Sequence, residues 1–182
     1  MFIEAGIDVL RHKGASRLTV ADVLAHAGRS TRAFYRHFES KDELLLAIYE
    51  HDARASVAGL RDRIATAATS HAALIAWIDA TLRLAYDAPR ARRTRVLAAE
   101  AKRLQAEHPE EFGAIARAQL EPLVEVLVRG RADGTFPAAQ PERDARTVHA
   151  IVWELVEEAL RDEPTISFED ARDHVLRYCL PA

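Results

Sequence analysis

Only Gly28 and Arg29 separate two helix-forming runs, and this link constrains the fold more than any other feature of the chain. The run before it starts at Thr19, whose hydroxyl can cap a helix, and stops at Gly28. The run after it covers Ser30 to His37, with Ser30 as its cap. So short a link cannot fold the chain back alongside itself, so the two helices must cross steeply, as in a helix-turn-helix.

The same reading of stops and caps extends along the chain. A first helix runs from Phe2 to Lys13 and stops at Gly14, and a fourth starts at Lys41 with Ser40 as cap and Asp42 and Glu43 in the first turn, where they suit the helix dipole. The polar run "ATAATSH" ends that helix near residue 66. A strongly apolar fifth helix follows through Leu74, Ile75, Trp77, Ile78, Leu82 and Leu84. Pro89, Pro109, Pro141 and Pro164 stand where a helix can start or must already have ended, and "RADGTFPAAQPE" is the clearest turn-rich loop. The last two helices span Glu142 to Arg161 and Phe168 to Leu180. Apolar residues recur at spacings of three and four, and β-branched alternation is nowhere sustained. The expectation is an all-α chain of about nine helices: an N-terminal three-helix helix-turn-helix unit, residues 1–46, then a larger helical bundle, residues 47–182, with the fourth helix leading from one to the other.

Composition narrows the function. Hydrophobic content of 49% with 29% charged residues is globular. No window approaches the roughly 18 apolar residues of a membrane span, and no signal core follows Met1, so a soluble, cytoplasmic protein with no membrane partner is expected. Cys179 is the only cysteine, which excludes an intramolecular disulfide and a cysteine-based zinc cluster and leaves it a packing role. The 8 His are scattered with no i, i+4 pair among them. Gly-rich phosphate loop, nucleophile elbow and paired-carboxylate signature are all absent, so no metal, no cofactor and no enzymatic activity is expected. The net charge is −3, and any binding of nucleic acid must therefore rest on a local patch.

Such a patch is present in "AGRSTRAFYRHFESKDEL", Ala27 to Leu44, which sets four basic residues around aromatic ones. A wheel at about 100° per residue puts Phe34 and Phe38 on one side of the third helix, facing apolar positions such as Val9, Leu10, Val20, Val23 and Ala27. Arg32 and Arg36 project opposite, with Ala33 beside them and Tyr35 and His37 on the flanks. A basic helix face is usually only solvated surface. Here a capped short helix, a Gly turn, an aromatic inner side and a basic outer side together favour a helix that enters the major groove, where Arg pairs with guanine edges or phosphates. Lys41 and the free N–H groups at the start of the fourth helix add a phosphate site.

These residues resemble the TetR-type transcriptional regulators. The likeness runs through "AGIDVLRHKG" and "LTVADVLAHAGRSTRAFYRHFESKDELLLAIY", about the first 50 residues, in the order Gly14, Thr19, Ala27, Gly28, Ser30, Phe34, Tyr35, His37, Phe38, Lys41 and Leu44. The resemblance implies a homodimer that reads a palindromic operator in double-stranded DNA and a C-terminal domain that binds a small-molecule effector and dimerises. It implies a ligand-responsive regulator, a repressor released from its operator by the effector. By the same analogy Thr31, Arg32, Ala33, Tyr35 and His37 lie on DNA and Lys41 touches a phosphate. The alternative is a helical small-molecule-binding or enzymatic domain whose basic face is incidental. The chain departs from the family pattern in three places. It begins almost inside the first helix, so contacts from a basic N-terminal arm are expected to be absent; Arg29 and Leu24 stand where an aliphatic and a small residue are common.

In the second half, Val148, Ile151, Val152, Leu155, Val156 and Ala159, and then Phe168, Ala171, Val175, Leu176 and Cys179, make the last two helices apolar over more than one contact face. Internal packing is one reading; the resemblance favours homodimerisation through these helices. Trp77, Tyr86, Phe112, Leu123, His149 and Trp153 are the candidate effector-binding residues, in a cavity expected among helices five to eight. The basic run "RARRTR", Arg90 to Arg95, is expected to be a solvated helix start paired with Glu100 and other carboxylates, with an anionic effector as the sharper reading.

Overall fold

Hydroxyl caps decide where several helices begin. The Thr19 hydroxyl accepts from the Asp22 N–H at 3.2 Å, Ser30 from Ala33 at 3.3 Å, Ser40 from Glu43 at 3.1 Å, Thr69 from Ala72 at 3.1 Å and Ser167 from Asp170 at 3.0 Å. Each satisfies an N–H that has no partner inside its own helix. The computed structural model describes residues 1–14, 18–161 and 164–179, and among them it contains nine helices and no strand. They are α1 (Phe2–Lys13), α2 (Val20–Ala27), α3 (Thr31–Tyr35), α4 (Lys41–Ala65), α5 (Ser70–Tyr86), α6 (Ala88–Glu107), α7 (Pro109–Ala132), α8 (Pro141–Arg161) and α9 (Phe168–Cys179). The all-α expectation holds. The expected end of the last helix at Leu180 lies outside the described residues.

Gly14 and Gly28 end α1 and α2 at φ 80° and φ 60°, a region where a side chain would be strained. The third helix is shorter than its sequence suggests. The Phe34 carbonyl accepts from both His37 N–H at 2.8 Å and Phe38 N–H at 3.0 Å, so the chain tightens into a turn after Tyr35. That turn keeps the Phe38 ring 5.5 Å from Phe34. Pro109 and Pro141 open their helices, whereas Pro122 lies buried inside α7.

The chain forms two compact units: Met1–Ala55 with Arg95–Ala116, and Ser56–Thr94 with Arg117–Ala182. It passes from one to the other within α4, α6 and α7. The first unit closes around Phe2, Val9, Leu10, Leu18, Val23, Phe34, Leu44, Leu45, Ile48 and Leu104, all buried. The second closes around Leu74, Trp77, Ile78, Leu82, Leu123, Val126, Val148, Val152, Val156 and Val175, with α5 packed on both α8 and α9.

Candidate nucleic-acid interface

The short α3 is held by rings. Phe34 is fully buried; Phe2 meets it edge-on at 5.6 Å and Phe38 at 6.3 Å, and Tyr35 lies edge-on to Phe34 at 5.4 Å. Edge-to-face contacts of this kind add about 0.5–1.5 kcal/mol each beyond area burial. Sequence reasoning missed Phe2 in this cluster. The signal was available, because Phe2, Ala5 and Val9 recur at helical spacing on α1 and are all buried.

With the inner side fixed, the outer side follows. Thr31, Arg32, Tyr35, Arg36 and His37 are exposed and Ala33 is half-buried. Tyr35 keeps 56% of its surface exposed, unusual for a large ring on so small a helix. The His37 ring rests 5.9 Å from Phe2, so one flank of α3 is steadied by the start of α1. Among the described residues no carboxylate pairs with Arg32, Arg36 or Lys41. Arg29 differs: its Nε–H donates to the Met1 sulfur at 3.1 Å.

Lys41 sits at a firmly anchored helix start. The Glu43 carboxylate reaches back to accept from the Glu39 N–H at 2.5 Å, completing a reciprocal cap with Ser40. Arg103 of α6 grips Asp42 through two hydrogen bonds, at 2.7 and 2.9 Å, and also bonds Glu100 at 2.8 Å and Glu107. The guanidinium holds the Asp42 carboxyl below the ordinary carboxylate range and keeps Arg103 itself firmly charged. Glu100, named above as a partner for the basic run, is thus engaged by Arg103. Asp42, Glu107 and His108 each bring a ligand atom within 4.8 Å of the others, a grouping no local spacing reveals, but Arg103 already occupies both carboxylates.

Residues 2–48 match the family described as bacterial regulatory proteins, tetR family. Over these residues the chain is similar to that family. A curated HTH-type transcriptional regulator from Bacillus subtilis strain 168 is similar at 43% identity over 49 residues, which are 27% of this chain and 22% of that relative. The chain therefore matches only about a fifth of the curated relative's length. The tetR fold extends over the whole chain. A TetR transcription regulator from Haloarcula marismortui ATCC 43049 superposes with TM-score 0.78 at 25% identity, covering 98% of this chain and 94% of that one. The transcriptional regulator FadR from Bacillus subtilis, in complex with stearoyl-CoA, superposes with TM-score 0.79 at 18% identity, covering 99% and 96%.

The candidate effector residues fall in different places. Trp77, His149 and Trp153 come together in the second unit: His149 stacks on Trp153 at 5.7 Å and lies 6.2 Å from Trp77. Burial pushes the His149 imidazole below its ordinary value, toward the neutral form. The Trp77 Nε1–H is buried without an acceptor, while Trp153 Nε1 donates to Glu157 at 3.0 Å. Leu123 is buried in the same core, and Tyr86 packs edge-on against Phe168 at 5.9 Å. Phe112 belongs to the first unit, 5.6 Å from Tyr49, and is not brought to the other five. A groove of about 720 Å³ in the second unit lies between the loop at 135–139 and α5, α7, α8 and α9, lined in part by Leu74, Phe136, Val148, Ile151 and Tyr178. No described helix is long and apolar enough to cross a membrane.

Proposed function

We propose that the protein is a cytoplasmic, sequence-specific DNA-binding regulator, a repressor that leaves a palindromic operator when a small molecule binds its helical C-terminal domain. Residues 1–46 are the DNA-binding domain and residues 47–182 the ligand-binding and dimerisation domain in this reading. The observation that carries it is the two-sided α3: aromatic and buried within, basic and unpaired without. Thr31, Arg32, Ala33, Tyr35, Arg36 and His37 face the major groove, and Lys41 with the start of α4 takes a phosphate. The role is regulatory, not catalytic.

A homodimer through α8 and α9 sets two such heads on successive major grooves, about 34–36 Å apart. Half-buried Ile151, Leu155, Leu176 and Cys179 and exposed Tyr178 on those helices support it. Trp77, His149 and Trp153 are the effector contacts best supported by geometry, because an unpaired indole N–H beside a neutral imidazole suits a ligand oxygen. A neighbour of the same fold holding stearoyl-CoA supports the capacity of such a bundle for a small molecule.

The test is selection of bound duplexes from random DNA, followed by titration against salt. A palindromic consensus, with affinity falling by about 0.9 log unit per log unit of salt for each phosphate neutralised, is the expected result. Weak association that ignores both sequence and salt would leave the basic face incidental and the second half as a ligand-binding domain alone.

A further inference from the structure

We propose that the groove between the 135–139 loop and α5, α7, α8 and α9 is a small-molecule site of its own, built for an apolar organic cation. It is separate from the aromatic cluster described above: Trp77, His149 and Trp153 do not line it. Its volume of about 720 Å³ lies within the roughly 300–1,000 Å³ typical of small-molecule pockets. The site needs no DNA binding by α3.

The loop wall of this groove is fixed by the chain itself. The Phe136 N–H donates to the Gly130 carbonyl at 2.8 Å, the Ala139 N–H to the Phe136 carbonyl at 3.0 Å, and the Thr135 N–H to the Asp133 carboxylate at 2.9 Å. Asp133 in turn accepts from the Ser70 hydroxyl at 2.5 Å, which ties the loop to the start of α5. The Phe136 ring lies against Gly130 of α7, where any Cβ would collide with it. A wall held in this way is already formed before a ligand arrives, so little ordering is left for binding to impose.

The lining selects the ligand. Leu74, Leu127, Val148 and Ile151 supply apolar surface, which favours a hydrophobic body. Among the described residues no lysine or arginine lines the groove, although the chain has 25 of them, so an anion finds no such countercharge there. Asp144 is the one carboxylate of the lining. The Gln140 N–H takes one of its oxygens, at 2.7 Å, and among the described residues no cation pairs with it. The rings of Phe136 and Tyr178 add faces that attract a positive charge. Ile151, Tyr178 and Cys179 form the edge that the dimer reading also uses; the opposite edge, His71 and the loop, belongs to neither α8 nor α9, so a second copy leaves that side open.

The experiment titrates the full chain by calorimetry with tetraphenylphosphonium and with tetraphenylborate, two ions of the same shape and opposite charge. Saturable binding of the cation, at least about tenfold tighter than that of the anion, is the expected result. Asp144→Asn is expected to raise the Kd of the cation by about tenfold and to leave that of the anion unchanged. Thr147→Trp, at an exposed position of the lining, is expected to fill the groove and abolish binding with an unchanged thermal midpoint. No saturable binding, an equal or stronger hold on the anion, or a cation affinity that neither substitution alters overturns the site.

Discussion

In the first unit, among the described residues, Arg32 and Arg36 on α3 and its turn and Lys41 at the start of α4 are cations without a carboxylate partner. In the second unit two atoms on α5, the Trp77 Nε1–H and one Asp79 oxygen, are buried without a hydrogen-bond partner. Water satisfies the first kind at little cost, so the surface is ready for any anion that displaces it. The second kind lacks that relief, and each such buried group costs about 1–3 kcal/mol. The difference fits the two modes of recognition proposed above: charge on the surface for a polyanion in one unit, and unsatisfied polar atoms in the interior for a small molecule in the other.

The contrast can be broken most severely at its foundation. Phe34→Ala removes the ring under the basic face and is expected to lower stability by about 3–5 kcal/mol, measured by urea unfolding, with loss of DNA binding as the fold yields. Arg32→Ala is expected to do the reverse: about 1–3 kcal/mol of operator affinity lost, with an unchanged thermal midpoint. Equal losses in both measurements would make Arg32 a packing residue and erase the distinction. Arg103→Met tests the anchor beneath Lys41, at about 1 kcal/mol of stability, the scale of a partly exposed network. Its pH dependence has a definite sign. Asp42 titrates below 3.8 when folded, so its contribution is complete above that pH and fades as pH falls beneath it; the variant should lose that acid-side slope. Asp79 has the opposite sign. Burial raises its carboxyl above 3.8, so stability falls as pH climbs through the raised value. Asp79→Asn should therefore gain up to about 1 kcal/mol at neutral pH and nothing at pH 3, read from thermal melts.

Legibility followed range. Thr19, Ser30 and Ser40 were readable as helix starts, and Gly14 and Gly28 as stops, because a cap or a left-handed turn involves only residues three or four apart. The inner and outer sides of α3 followed from a wheel for the same reason. Its end did not, because the tightening at Phe34 answers to Phe2, which lies at the other end of the unit's sequence. Glu100, Arg103 and Glu107 look like neighbours pairing along one helix. That Arg103 spends two of its hydrogen bonds on Asp42, 61 residues away, has no local trace. Phe112 was grouped with the effector candidates on its order along the chain, yet residues 95–116 close onto the first unit. An amphipathic helix announces that it has an apolar face, not what that face meets.

A helix of five residues has no stability of its own, since nucleation alone outweighs its few hydrogen bonds. Whatever orients α3 is therefore supplied by Ser30, Phe34, Phe38 and Phe2, none of which it shares with the outer positions. In the proposed reading this makes α3 a replaceable cassette: libraries at 31, 32 and 36 could be exchanged for new sequence preferences while the scaffold beneath, with Tyr35 against Phe34, stays as it is. In that same reading, drift in those few outward letters would readdress a copy of this protein to another operator without refolding it.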